Sequence, residues 1–241
     1  MLKKTLILTI CGLVSRIVSG IQVQGNKLID DSTGKEVVLQ GFSKAGTEFQ
    51  CVSGDGIFDG PVDDIMIQHM LNWNINAVRI PLNEQCWLGV NGIKPEYSGK
   101  NYINAVTDFV KRINNHGMYV ILDLHFSAPG TVLAKEASVM ADTDHSVPFW
   151  SQMANHFKNM PDVIFDLFNE PYLDRTSGSD AWKCFRDGGK CPGVDFDVAG
   201  YQTLVDTVRK TGSKNVVMIG GLSFSNDLSK WLSFRPVDPL N

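Results

Sequence analysis

The chain has 241 residues, a net charge of −4 at pH 7, 43% apolar residues and 20% charged ones. That length suits one large domain or two small ones, and the ordinary apolar and charged content excludes disordered and fibrous classes. Mild acidity, without any run of Lys or Arg, excludes a nucleic-acid footprint.

The first twenty residues read differently from the rest. Lys3 and Lys4 precede an apolar stretch over 5–14, and Val18, Ser19 and Gly20 supply small residues for cleavage after Gly20. This is the layout of a secretory signal peptide, with a mature domain over 21–241. The competing reading, a membrane anchor, needs about 20 apolar residues, roughly twice the run present. No later segment is apolar enough to span a bilayer, so no membrane contact is expected once the signal is removed. A secreted, extracellular protein matures in an oxidising compartment. Removal of Cys11 leaves Cys51, Cys86, Cys184 and Cys191, an even number. Cys184 and Cys191 enclose a short loop and are expected to pair, which leaves Cys51 to pair with Cys86. The alternative is free buried thiols.

A small hairpin comes next, 21–23 and 27–30 around Gly25-Asn26, and Asp31-Ser32-Thr33-Gly34 makes a second turn. Then one unit repeats: an apolar strand, a loop and an amphipathic helix. Strands are expected at 37–41, 75–80, 118–125, 163–169 and 215–221. Their near-continuous apolar character suits a parallel sheet covered on both faces. Asp59-Gly60-Pro61 opens a first helix, whose apolar side is expected to be Ile65, Met66, Met70 and Trp73. Ile103, Val106, Phe109, Val110 and Ile113 define a second, closed by Gly117. A third fills 148–160. Tyr201, Leu204, Val205 and Val208 mark a fourth, with Gly212 at its end, and a short helix is expected at 227–232.

Strand-helix alternation leaves two architectures, a doubly wound open sheet and a (β/α)8 barrel. The polar residues favour the barrel. Lys44 and Glu48, Arg79, His125, and Asn169 with Glu170 stand at or just after strand ends, and a barrel gathers all such ends at one mouth. The glycines after the first strand, Gly41 and Gly46, do not form a phosphate-binding fingerprint. The expected fold class is therefore an α/β TIM barrel, present as its first five βα units plus the N-terminal hairpin. A barrel has eight strands, so the sequence reads as truncated before strand six.

The strongest chemical signal is Phe165-Asp166-Leu167-Phe168-Asn169-Glu170-Pro171. An apolar strand ends in an amide beside a carboxylic acid, and Pro171 stops the ladder. Glycosidic cleavage uses that pairing: the acid protonates the leaving oxygen while the amide bonds the sugar 2-hydroxyl. The bland alternative is a solvated acid in a turn. Arg79 stands where an apolar strand meets the mouth, and a guanidinium there can hold a carboxylate ionised; a plain salt bridge is the alternative. His125 could be a sugar ligand, a satisfied core histidine, or a metal ligand with Asp123, two residues away on the same face. No third ligand has a telling spacing. Trp87, on the loop after the second strand, could stack on a sugar or pack within that loop. Trp150, Trp182 and Trp231 are expected in the core.

These spaced motifs resemble glycoside hydrolase family 5, the cellulase family, from about Gln22 to the C-terminus. The resemblance implies a retaining (β/α)8 hydrolase of β-1,4-glucan or a related plant or microbial polysaccharide, such as mannan. It implies Glu170 as acid/base, Asn169 as the neighbouring substrate amide, Arg79 as the arginine that positions the nucleophile, and His125 as the active-site histidine. Neither a cofactor nor a metal is implied, and a monomer is expected. The family's nucleophile is a second glutamate at the end of strand seven, a strand this sequence lacks. Glu48 and Glu84 are on the wrong wall to replace it. A rival reading is a secreted carbohydrate-binding or vestigial barrel fragment without catalysis.

Overall fold

The computed structural model describes residues 20–240; the expected signal peptide, all but its last residue Gly20, lies outside them. β1 (Ile21–Gln24) and β2 (Lys27–Asp30) form the expected antiparallel hairpin. β3 (Gly41–Ser43), α1 (Gln50–Ser53), α2 (Asp64–Asn72), β4 (Ala77–Asn83) and α3 (Glu84–Leu88) follow. Next come α4 (Lys100–Asn115), β5 (Tyr119–Phe126), α5 (Ser146–Phe157), β6 (Val163–Asp166) and α6 (Ala181–Asp187). β7 (Gly189–Lys190), β8 (Asp197–Val198), α7 (Tyr201–Lys210) and β9 (Val217–Met218) complete the main elements. The principal sheet is five-stranded, in the order β3-β4-β5-β6-β9, and all its pairings are parallel.

Period two divides the central strands β4, β5 and β6 between two apolar environments. Val78, Ile80 and Leu82, then Val120, Leu122 and Leu124, then Val163, Phe165 and Leu167 face the helices and join the main core. Ala77, Tyr119, Ile121, Ile164 and Val216 point the other way and form a second cluster with Ile21 of the hairpin. The strands therefore lack sequence alternation because both faces are apolar. Higher along that second face the apolar residues give way to Arg79, Asp123, His125 and Asp166. This change from apolar floor to polar rim is what places a site at the strand C-termini.

Several boundaries differ from the sequence expectation. The first strand is 41–43 rather than 37–41. Val37 donates its N–H to Leu28 O and Glu36 bridges Ile29, so this stretch pairs with the hairpin instead. Gly41 is required here, since a Cβ would lie 1.7 Å from Ala77 O of the neighbouring strand. β4 runs on through Pro81 to Asn83, with its register shifting at Leu82/Asn83. β6 ends at Asp166 rather than Asn169, because Asn169 N–H instead reaches Leu124 O at 3.0 Å. β9 is two residues long because the chain leaves it at Gly220-Gly221 for a left-handed turn, with φ 52°, 58° and 65° at Ser223, Phe224 and Ser225. The expected helix at 227–232 is not formed; a short one spans Trp231–Phe234.

α2 corrects the expected apolar side. Ile67 and Met70 are its buried residues, while Ile65 and Trp73 are 70% and 82% exposed. At 3.6 residues per turn, Ile65 lies about 200° round the helix from Ile67, so the two cannot share a face. Trp150 and Trp182 are buried as expected, whereas Trp231 is half-buried against Phe185. Disulfides join Cys51 to Cys86 and Cys184 to Cys191, the expected pairing. Among the described residues no helix is long and apolar enough to cross a membrane.

Candidate active site

Arg79 is the centre of the mouth. Its Nε and Nη2 donate to Asp166 Oδ2 at 3.1 and 3.0 Å, and Nη2 donates to Asn169 Oδ1 at 2.8 Å. Nη2 also lies 2.9 Å from Asp123 Oδ2. Asp123 in turn contacts His125 Nδ1 at 2.6 Å. The sheet register explains the convergence. Arg79 pairs with Ile121 and Asp123 pairs with Asp166, so side chains of three adjacent strands meet on one face.

Electrostatics follow from that geometry. Burial alone would lower the Arg79 pKa, but Asp123 and Asp166 outweigh it and raise the value further. The Asp166 carboxyl is pushed up to about 7, by burial first and then by Asp123, against the pull of Arg79. Unfolding returns it to about 3.9. The folded chain thus binds more protons than the unfolded one between those values, and this group's contribution to stability declines as pH rises through that window. Relative to the wild type, Asp166→Asn is expected to gain stability as pH is raised from about 4 to about 8. Melting temperatures of both proteins across that range check it; parallel curves would contradict it.

A cavity of about 370 Å³ opens here, lined by Arg79, Asp166, Asn169, Glu170, Met218 and Ser225. Glu170 is exposed at its rim and Asn169 is half-buried. His125 stands on the next strand, joined to the cavity through Asp123. The loop that carries Glu170 is held from behind. Trp150 Nε1–H donates to Leu167 O, Tyr201 O–H to Phe168 O, Ser225 O–H to Asn169 O, and Phe224 N–H to Pro171 O. The Tyr172 and Phe224 rings stack at 5.0 Å beside it. Three successive non-glycine residues in left-handed backbone cost about 1–2 kcal/mol each, and strain of that kind concentrates at functional sites.

Of the residues expected from sequence, Arg79, His125, Asn169 and Glu170 gather at this mouth. Trp87 does not. It is 1% exposed and packs edge-on against Phe149 and His156 and beside Phe157, so neither ring face is open to a sugar. Asn83 caps α3 through Gln85 N and Cys86 N and turns the chain inward, which carries Trp87 into the core. Trp87→Ala is expected to cost about 3–5 kcal/mol of unfolding free energy and to leave saccharide affinity unchanged. Urea unfolding beside an oligosaccharide titration checks this; lost affinity at unchanged stability would contradict it.

Lys44 and Glu48 also stay out of the mouth. Lys44 Nζ donates to Ala45 O and Asp59 O, and Glu48 Oε2 accepts from Gly46 N. Glu84 is fully buried elsewhere: its oxygens accept from Ala128 N at 2.9 Å and Ser146 Oγ at 2.6 Å. With Asp142 and His145 it forms a group whose donor atoms lie within 4.8 Å of one another, the geometry of a possible cation site. Those atoms are already engaged, since His145 Nδ1 bonds Ala128 O and Asp142 accepts from His145 N. They fasten the loop after β5 to α3. Sequence reading missed this group, as it missed Asp166 and the Tyr172–Phe224 stack. A polar residue interrupting an apolar run, two positions after Ile164 on the same face of the strand, was the available signal for Asp166.

Parallel βα units with a charged cluster at the strand C-termini define a protein of the (β/α)-barrel class. The family model for cellulase, glycosyl hydrolase family 5, matches residues 30–240. The chain belongs to that family. It is 24% identical over 233 residues to endoglucanase C of Evansella cellulosilytica, covering 90% of this chain and 25% of that protein. It is 28% identical over 166 residues to an endoglucanase of Paenibacillus polymyxa, covering 65% of this chain and 41% of that one. The chain thus spans less than half the length of these relatives. Among solved structures, a β-glucanase from Saccharophagus degradans superposes with a TM-score of 0.61 at 22% identity, over 89% of this chain and 57% of that one. An endocellulase from Pyrococcus horikoshii gives 0.66 at 16% identity, over 93% and 67%. Both likenesses are of fold.

Proposed function

We propose that this chain carries the acid/base half of a retaining β-1,4-glucan hydrolase. The observation that carries the proposal is the cavity in which Glu170, Asn169 and Arg79 meet at the C-terminal ends of parallel strands. Glu170 is exposed to substrate on a loop fixed by buried hydrogen bonds, which suits a proton donor. It protonates the leaving glycosidic oxygen, then takes a proton from the water that attacks the glycosyl intermediate. Asn169 is oriented by Arg79 to meet the 2-hydroxyl. Family membership and endoglucanase relatives support a β-glucan as substrate.

A retaining pair needs carboxyl groups about 5–5.5 Å apart. The carboxylates lining the cavity are Glu170 and Asp166, and Asp166 is engaged by Arg79. Glu48 and Glu84 are bonded elsewhere. The partner carboxylate is therefore assigned to a strand outside these residues, with Arg79 Nη1, which has no hydrogen-bond partner among the described residues, marking where it docks. Secretion is part of the same reading, supported by the two disulfides.

The test is hydrolysis of carboxymethyl-cellulose and glucomannan, following viscosity and reducing ends together. The 241-residue chain should leave both polymers intact, while a form carrying the partner carboxylate should cut them internally. Hydrolysis by the 241-residue chain would overturn the assignment of the nucleophile, and inactivity of both forms would overturn the glucanase reading.

A further inference from the structure

Asp123 has no assigned part in the chemistry above, yet it is fully buried at the centre of the mouth. A carboxylate taken wholly from water is costly unless its partners repay it. One oxygen makes both of its contacts: Oδ2 meets His125 Nδ1 at 2.6 Å and Arg79 Nη2 at 2.9 Å. Oδ1 is buried and has no hydrogen-bond partner among the described residues. Period two on β5 puts Asp123 directly below His125 on the same face.

We propose that Asp123 is a positioning residue that fixes the tautomer of His125. Oδ2 accepts from Arg79, and a carboxylate oxygen held by a guanidinium accepts rather than donates, so the proton between it and His125 belongs on Nδ1. Nε2 is then bare in the neutral ring. Among the described residues Nε2 has no partner, and the side chain is 22% exposed. His125 therefore offers a hydrogen-bond acceptor to the mouth, and the group it takes is a sugar hydroxyl acting as donor. The same oxygen sets the height of Arg79, and thereby the orientation of Asn169. The sugar half of the proposal rests on the β-glucan reading; the tautomer half does not.

The test joins long-range ¹H–¹⁵N NMR of the histidine rings to calorimetric titration with cellotetraose, on the 241-residue chain. Recorded where the ring is neutral, the wild type should show His125 protonated at Nδ1 alone. Asp123→Asn keeps the shape but brings an amide N–H that can turn to Nδ1, so it should loosen the tautomer and weaken binding while leaving the packing in place. Asp123→Ala removes the acceptor; it should release the tautomer to a mixture and weaken binding about tenfold, the worth of one hydrogen bond. A merely structural role would lower the melting temperature of the alanine variant with no change in tautomer. The proposal is overturned by a wild type protonated at Nε2, a measurement that needs no variant to fold. It is equally overturned if Asp123→Ala changes the tautomer and leaves the affinity intact. A wild type that binds no oligosaccharide overturns the β-glucan reading instead, and the ring spectra still decide the role of Asp123.

Discussion

Glu170→Gln is expected to lower hydrolysis of an unactivated β-glucan about 10²–10⁴-fold in any form of the protein that carries both carboxylates of the pair. The amide keeps the shape of the acid and has no proton to give the leaving oxygen. Folding should be unaffected, because Glu170 is exposed and the loop is held by backbone carbonyls of Leu167, Phe168, Asn169 and Pro171 rather than by its side chain. Surface substitutions of this kind stay within about 0.5 kcal/mol. Initial rates on carboxymethyl-cellulose beside a melting curve separate the two effects. A variant with wild-type rates would move the acid/base role to another residue. One that lost activity and stability together would make Glu170 a structural residue.

Arg79→Ala should be the most destabilising substitution in the mouth. It leaves Asp123 and Asp166 buried without their counter-ion, and breaking a buried pair costs about 3–5 kcal/mol. The cost depends on pH in a defined direction. With Arg79 present the Asp166 carboxyl stands at about 7, and losing the guanidinium raises it further, so at pH 5 its charge no longer needs Arg79 while at pH 8 it does. The destabilisation should be larger at pH 8 than at pH 5. The double variant with Asp166→Asn should lose less than the sum of the two single changes, as residues in one network do. Arg79→Lys should not rescue, because one ammonium cannot reproduce the fork that spans Asp166, Asn169 and Asp123. Urea unfolding at the two pH values checks each statement. A pH-independent loss would show that the carboxylates do not depend on Arg79 for their charge.

Sequence reading reached those parts of the molecule where a residue type is out of place in its pattern. Arg79 interrupts an apolar strand, His125 stands near the end of one and Glu170 just beyond another, and the structure brings all three to one mouth. The parallel sheet was legible for the same reason, as runs apolar on both faces. What escaped depends on geometry that no period records. Val37 looked like sheet and pairs with the hairpin; Trp87 looked like a loop aromatic and is turned inward by the Asn83 cap. Ile65 and Trp73 fit an apolar helix side until the pair Ile67 and Met70 takes the inward position. The Tyr172–Phe224 stack joins residues 52 positions apart (224 − 172) through a left-handed turn, which a local pattern cannot announce. Asp123 was noticed only as a possible metal ligand, since its contact with Arg79 crosses strands.

The central claim is that the Arg79, His125, Asn169 and Glu170 mouth receives a β-1,4-glucan. Titrating cellopentaose into the ¹⁵N-labelled 241-residue chain, with resonances followed site by site, tests it most directly. The account predicts saturable shifts at Arg79, His125, Asn169 and Glu170, with Trp87 and the Glu84–Asp142–His145 group unmoved. Shifts confined to another surface, or none at all, would contradict it.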